Sequence, residues 1–293
     1  MTQAIQLGDR DRVISAHPTQ DGDGVRIKRI AGPHLNTLLD PFLLIDEIRS
    51  EDSTDYVGGF PAHPHRGFQT LTYMISGGFK HRDSMGNEGI INSGGLQWMS
   101  AASGVIHSEM PLLHKGTEQG MHGYQIWLNL PSGEKMRQPA YRDIQGEEVP
   151  EYRLMNGILV RALAGMFEVD GKVMNSALSL PESHALLMDV TVPADTVMRC
   201  VFEAASQYQL YVIDGALEDL NAGHLAHFSE ASTVRNLTVE SGAQGARILV
   251  LGGQPIREPI AQYGPFVMNT HAELEQALQD YRDDRFIKDA ARI

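Results

Sequence analysis

Glycine and proline cut this chain into short apolar segments, and that spacing limits the possible folds more than any other feature. Stretches such as GVRIKRI, FQTLTYMIS, GYQIWLNLP, YQLYVIDG and ARILVLGG are bounded by turn formers, with 29 Gly and 14 Pro spread over 293 residues. Short segments of this kind between turn signals read as β-strands. Helical periodicity is missing over most of the chain, so the expected class is all-β, a sandwich or barrel.

One stretch breaks the pattern. Thr270 precedes HAELEQALQDY with Glu273 three residues on, the arrangement of a capping box. Leu274, Ala277, Leu278 and Tyr281 then fall at i, i+3, i+4 and i+7, an apolar stripe that should pack a structural helix, from about residue 271, on the body of the protein. The tail after Tyr281, RDDRFIKDAARI, has few apolar anchors and is expected to fray or to extend the helix. A weak repeat, YMISGGF at 73–79 against YVIDGAL at 211–217, suggests two like domains. The charged, Pro- and Gly-containing PSGEKMRQPAYRDIQGEEVPEY lies between them. The expected division is 1–135, including a short N-terminal segment, and 136–293, carrying the helix.

Charge and cysteine content narrow the function. A formal net charge of −13 disfavours phosphate backbones and anionic lipid, so neither direct nucleic-acid binding nor membrane association is expected. The start MTQAIQLGDRDR has no basic region followed by an apolar core, and no apolar run approaches spanning length, which predicts a cytoplasmic protein. Cys200, the single cysteine, lies in apolar VMRCVFEA and reads as a buried, inert thiol. It excludes an intramolecular disulfide and a multi-cysteine zinc site, so any metal must be held by nitrogen and oxygen.

The histidines supply such donors. In GGFPAHPHRGFQTLTYMISGGF, His63 and His65 are two apart, and on an extended segment residues i and i+2 share a face; Pro64 favours that conformation for His63. Continuing the parity places Gln69, Leu71, Tyr73 and Ile75 with the histidines and Thr70, Thr72, Met74 and Ser76 opposite. In SAASGVIHSEMP, His107 and Glu109 repeat the i, i+2 spacing beside Val105. Three imidazoles and one carboxylate suit Fe(II), Mn(II), Ni(II), Co(II) or Cu(II) with positions left open. His81, His114, His122 and His184 have no convergent partner in sequence and read as surface, second-shell or core residues. His224 and His227, in NAGHLAHF, read as a solvated loop.

FPAHPHRGFQTLTY, WMSAASGVIHSEMP, GYQIWLNLP, KMRQPAY, LVLGGQPIREPI and YGPFVMNT run in order through nearly the whole chain, and together they resemble the pirin family of the cupin superfamily. The resemblance implies a bicupin: two antiparallel β-barrel (jelly-roll) domains facing each other, the first holding one metal and the second without ligands. It places the metal ligands on His63, His65, His107 and Glu109, with Fe(II) as the first expectation and Mn, Ni, Co, Cu or Zn as others. Cupins generally carry a glutamate four residues after the second histidine. Here Gln69 stands there, a departure that should leave the metal in place, because pirins take the later glutamate, but should alter the polarity around the site. Arg66 is expected either to orient a ligand or balance charge at the site, or equally to form a surface salt bridge.

Some pirins act as quercetin 2,3-dioxygenases. For this chain the resemblance thus implies a metal-dependent oxygenase that takes a flavonol-like molecule and O2, with Glu109 as the base. The alternative it implies is a non-catalytic, iron-dependent redox sensor acting through a regulatory protein partner, whether a transcriptional co-regulator or a modulator of a metabolic enzyme. A monomer is expected in either case, since two barrels in one chain can cover each other.

Overall fold

The computed structural model describes residues 2–113 and 120–288; His114 and the last five residues of the tail lie outside them. The chain forms two compact units, 17–148 with 256–293, and 1–16 with 149–255. This replaces the linear division at 135/136, because each terminus folds into the other half. Strands Gln3–Gln6 and Arg12–Ser15 pair with Arg235–Gly253 and His224–Phe228, so the N-terminal segment satisfies backbone groups of the later unit. The C-terminal segment, with its helix, belongs to the earlier one.

That earlier unit has two main antiparallel sheets, beside the two-stranded pair Ala261–Tyr263 and Phe266–Met268. The larger runs Ala140–Ile144, Leu96–Ser100, Phe68–Ser76, Met121–Asn129, Phe42–Ser50, Val25–Ala31 and His17–Asp21. The smaller runs Phe60–His65, Val105–Pro111, Phe79–Asp83 and Glu88–Ile91. Neither sheet closes on itself, so the fold is a cupin-like double sheet rather than a sealed barrel. Ile27, Ile48, Met74, Phe79, Ile91 and Met121 are buried together, and each such side chain contributes on the order of 1.5–3 kcal/mol.

Between His65 and Phe68 the chain leaves the smaller sheet for the larger. Gly67 makes that passage at φ +89°, and a Cβ there would fall 1.9 Å from the Val267 carbonyl oxygen, so no other residue fits without displacing backbone. The break also resets the strand parity.

The other unit centres on a twelve-stranded sheet with a buried apolar cluster that includes Val160, Met188, Leu210, Val212, Ile248 and Val250. Cys200 lies in it, and burial pushes its thiol up to about 12, as an inert thiol requires. His227 departs from the loop reading: it sits on strand His224–Phe228, buried, 3.4 Å from both the Gln209 amide and the Ser229 hydroxyl.

The one α-helix among the described residues, His271–Arg282, starts at the expected cap: Thr270 accepts from the Glu273 amide, and the Glu273 carboxylate accepts from the Thr270 amide. Its buried stripe is Leu274, Ala277 and Asp280, while Tyr281 is 41% exposed. Past the helix the chain is anchored, for Phe286 is buried against Phe266. No helix among the described residues is long and apolar enough to cross a membrane.

Candidate metal centre

Two neighbouring strands of the smaller sheet build the site. Phe60–His65 and Val105–Pro111 pair antiparallel with His63 opposite His107, and the ladder shifts register between His107 and Glu109. His63, His65 and His107 each bring a ring nitrogen into one group whose atoms lie within 4.8 Å of one another. Among the described residues this is the one group of three or more His, Cys, Asp or Glu side chains so gathered.

The protonation pattern suits a cation. His63 Nδ1 is 2.8 Å from the Pro61 carbonyl oxygen, which only accepts, so a neutral His63 carries its proton there and its lone pair on Nε2. That Nε2 lies 3.0 Å from His65 Nε2. Two nitrogens at about 2.1 Å from one ion and at right angles to each other would be separated by about 3.0 Å. His107 Nε2 is buried without a hydrogen-bond partner, an arrangement that is costly unless another species meets its lone pair. Burial, reinforced by the neighbouring imidazoles, holds His65 and His107 well below the ordinary histidine pKa. His65 and His107 are therefore neutral rings, and the donor set fits a divalent transition metal.

Glu109 lies outside that group of three but lines the same cavity. It is buried, and Thr72 Oγ1 is 3.1 Å from its Oε1 and 2.7 Å from Gln125 Oε1. The cavity measures about 630 Å³, with His63, His65, Glu109, Gln125, Trp127 and Phe60 among its lining. Trp127 packs edge-on to His65, ring centroids 5.2 Å apart, and lies over Phe68 at 4.4 Å. Near the mouth Arg29 holds Asp46 through two hydrogen bonds of 2.9 and 2.7 Å.

Two sequence expectations are corrected here. The continued parity fails at the Gly67 break: Thr72 reaches Glu109 and Phe68 touches His65, so the even-numbered residues of Phe68–Ser76 face the site. Gln69 points to the other side of the sheet by alternation. Arg66 does not orient a ligand. Its guanidinium is buried, donating to Asp280 at 2.8 Å, to the Ser103 carbonyl at 2.6 Å and to the Phe286 carbonyl at 3.1 Å, and it lies 4.4 Å over the Phe286 ring. It fastens the C-terminal segment.

Sequence reading missed His81 as a neighbour of the site. It is fully buried beside His107, on a strand that carries no HxH signal. His122 is a core residue bonded to Glu47 at 3.0 Å.

The Pirin profile matches residues 24–128 and the Pirin C-terminal cupin domain profile residues 187–287. A Pseudomonas aeruginosa protein named "Putative quercetin 2,3-dioxygenase" is 43% identical over 277 residues, covering 92% of this chain and 94% of its own. Pirin of Homo sapiens is 34% identical, covering 92% and 91%. A crystal structure of quercetin 2,3-dioxygenase from Acinetobacter baumannii superposes with a TM-score of 0.83 at 30% identity, over 98% of this chain and 99% of that one. With both cupin halves matched and these identities spanning nearly its full length, the chain belongs to the pirin family.

Proposed function

We propose that this chain is a metal-dependent oxygenase of the quercetin 2,3-dioxygenase type, acting with O2 on a flavonol or a similar planar enol. One juxtaposition carries the reading: of three converging imidazoles, those of His63 and His65 line a cavity that also exposes a buried carboxylate and an indole. The names borne by the Pseudomonas relative and the Acinetobacter structure support it.

His63, His65 and His107 would hold the ion, Fe(II) first among the candidates, with Glu109 as fourth ligand. Such a cation supplies stabilisation of a developing enolate and the redox chemistry that O2 requires. The protein residues supply the rest. Ile27, Leu44, Ile48, Phe60 and Trp127 offer apolar walls to a planar ring and exclude water from it. Arg29 is already committed to Asp46, so the cavity holds no unpaired guanidinium for an anionic substrate and favours a neutral phenol.

Glu109 takes the proton of the substrate hydroxyl. Thr72 is placed to follow that change, because one hydroxyl proton serves one acceptor at a time. With Glu109 ionised, Thr72 donates to it. Once Glu109 is protonated, Thr72 donates to Gln125 and its oxygen faces the new acid proton.

The test is quercetin-dependent oxygen uptake by protein stripped of metal and reloaded with Fe(II), with the stripped sample as blank. Uptake only after reloading is the expected result. No uptake from a sample with one iron bound per chain would refute flavonol oxygenation.

A further inference from the structure

His81 lies beyond the expected ligands, and its surroundings fix where its protons are. It shares a face with Asp83 on strand Phe79–Asp83, and that strand pairs with Val105–Pro111 so that Asp83 stands opposite His107 and His81 opposite Glu109. The Asp83 side chain is fully buried. Its Oδ1 accepts from the Met85 and Asn87 amides at 2.9 and 3.0 Å, and its Oδ2 accepts from Asn87 Nδ2 at 2.8 Å. Surrounded by donors, this carboxylate is an acceptor only, so the His81 Nε2 that lies 3.3 Å from Oδ2 must carry a proton. The ring is held in plane by stacking on Tyr141, centroids 4.5 Å apart at 27°. Tyr141 is in turn fixed through its hydroxyl, which donates to Asp143 and accepts from Gln97.

If that is its one proton, the lone pair of His81 is on Nδ1. The group facing it, in a long contact of 3.5 Å, is Nδ1 of His107. If His107 carries its proton on that nitrogen, its own lone pair sits on Nε2, the buried atom with no partner in the protein. Two facing lone pairs would repel, so the anchored tautomer of His81 selects the ligating tautomer of His107.

We infer that His81, held by Asp83, is a positioning residue for the metal centre: it fixes His107 as the Nδ1–H tautomer and so presents His107 Nε2 to a divalent cation. This rests on reading the three imidazoles as a metal site. Removing an outer partner of this kind typically costs 10- to 100-fold in metal affinity.

The experiment compares wild type with His81→Leu and His81→Gln. A glutamine can donate its amide to Asp83 and accept from His107, restoring both contacts, whereas leucine restores neither. Long-range ¹H–¹⁵N correlation spectra of the metal-free proteins report the His107 tautomer, and titration with Co(II), followed by visible absorption, reports affinity. The expected result is Nδ1–H on His107 in wild type and His81→Gln, a mixture with Nε2–H in His81→Leu, and Co(II) binding weakened about 10- to 100-fold in His81→Leu but only a few-fold in His81→Gln. His107 found as Nε2–H in wild type, or His81→Leu binding Co(II) within twofold of wild type, overturns the inference. Wild-type protein that binds no Co(II), with His107 as Nδ1–H, overturns instead the metal-site reading on which it stands. Should His81→Leu fail to fold, His81→Gln decides: a loss as large as 10-fold or more there refutes the restored contacts.

Discussion

Replacing Arg66 with Met should loosen the C-terminal helix while leaving the donor histidines in place. The guanidinium is buried and bonds Asp280 at 2.8 Å, with its remaining donors on the Ser103 and Phe286 carbonyls. Breaking one side of a buried pair costs about 3–5 kcal/mol. Asp280 keeps Lys288 at 2.8 Å and Gln276 at 2.8 Å, which moves the expectation to the lower end, and the two deprived carbonyls add roughly 1 kcal/mol. About 3–4 kcal/mol is therefore expected, against below 1 kcal/mol for an exposed pair. Because a chain of two units need not unfold in one step, the assay is native-state amide exchange read over residues 271–288. Protection there should fall by at least 100-fold, and less in Arg66→Met/Asp280→Asn, where no bare carboxylate is left buried. The pH dependence has a defined sign. Desolvation raises the Asp280 pKa, but Lys288, Arg66 and Gln276 outweigh it and hold the carboxyl well below its usual range. Its stabilisation is thus full above about pH 4 and is lost as the pH falls toward the folded-state value. A change in helix protection under fivefold at neutral pH, or one that does not diminish in acid, would refute this account of Arg66.

Glu109→Gln should lower oxygen uptake by about 100-fold or more while weakening metal binding far less, measured by oxygen electrode and metal analysis on the same sample; equal losses would make Glu109 chiefly a ligand. Gly67→Ala should destabilise the earlier unit by more than about 3 kcal/mol in urea unfolding, since its Cβ meets the Val267 carbonyl oxygen at 1.9 Å and φ is +89°; near-native stability would show that the passage between sheets is pliable. Lys135, which donates to the carbonyls of Gly67 and Val267 and to Asn129, is pushed down to about 8, chiefly by burial. Between about pH 8 and 10.5 the unfolded chain binds the extra proton, so stability should rise with pH there on account of this group. Lys135→Met should remove that slope, and an unchanged slope in urea midpoints across this range would exclude Lys135 as its source.

The fold was legible where local rules and tertiary packing agree. Turn residues mark the strand ends, and Thr270 with Glu273 marks the helix start, because both signals act through backbone hydrogen bonds within a few residues. The termini were not legible. Gln3–Gln6 reads as any short polar strand, and nothing in QAIQ names Arg235–Gly253 as its partner. The helix stripe was displaced for a similar reason: Asp280 is buried against Arg66, far away in sequence, and also pairs with Lys288, and hydrophobic periodicity has no means of scoring a buried ion pair.

The site divides along the same line. His63 and His65 lie on one strand and His107 and Glu109 on one neighbour, so each pair obeys the two-residue period within its own segment. Parity carried past Arg66 fails, because Gly67 changes the sheet as well as the direction, and the residues that touch His65 and Glu109 become Phe68 and Thr72 instead of Gln69. His81 is the opposite case: its relation to His107 exists only through the register of Phe79–Asp83 on Val105–Pro111, a pairing that no spacing within KHRDSMG encodes. Ligands on a strand can be found by counting along it, whereas the groups that orient them belong to adjacent strands and become visible only when the sheet is assembled. The Gly67 turn is what joins these two levels. It lets one segment supply His63 and His65 from the smaller sheet and, three to seven residues after His65, the Phe68 ring against His65 and the Thr72 hydroxyl on Glu109 from the larger. A chain that crossed between the sheets elsewhere would keep the HxH pair but lose the Glu109–Thr72–Gln125 contacts that give the cavity its chemistry.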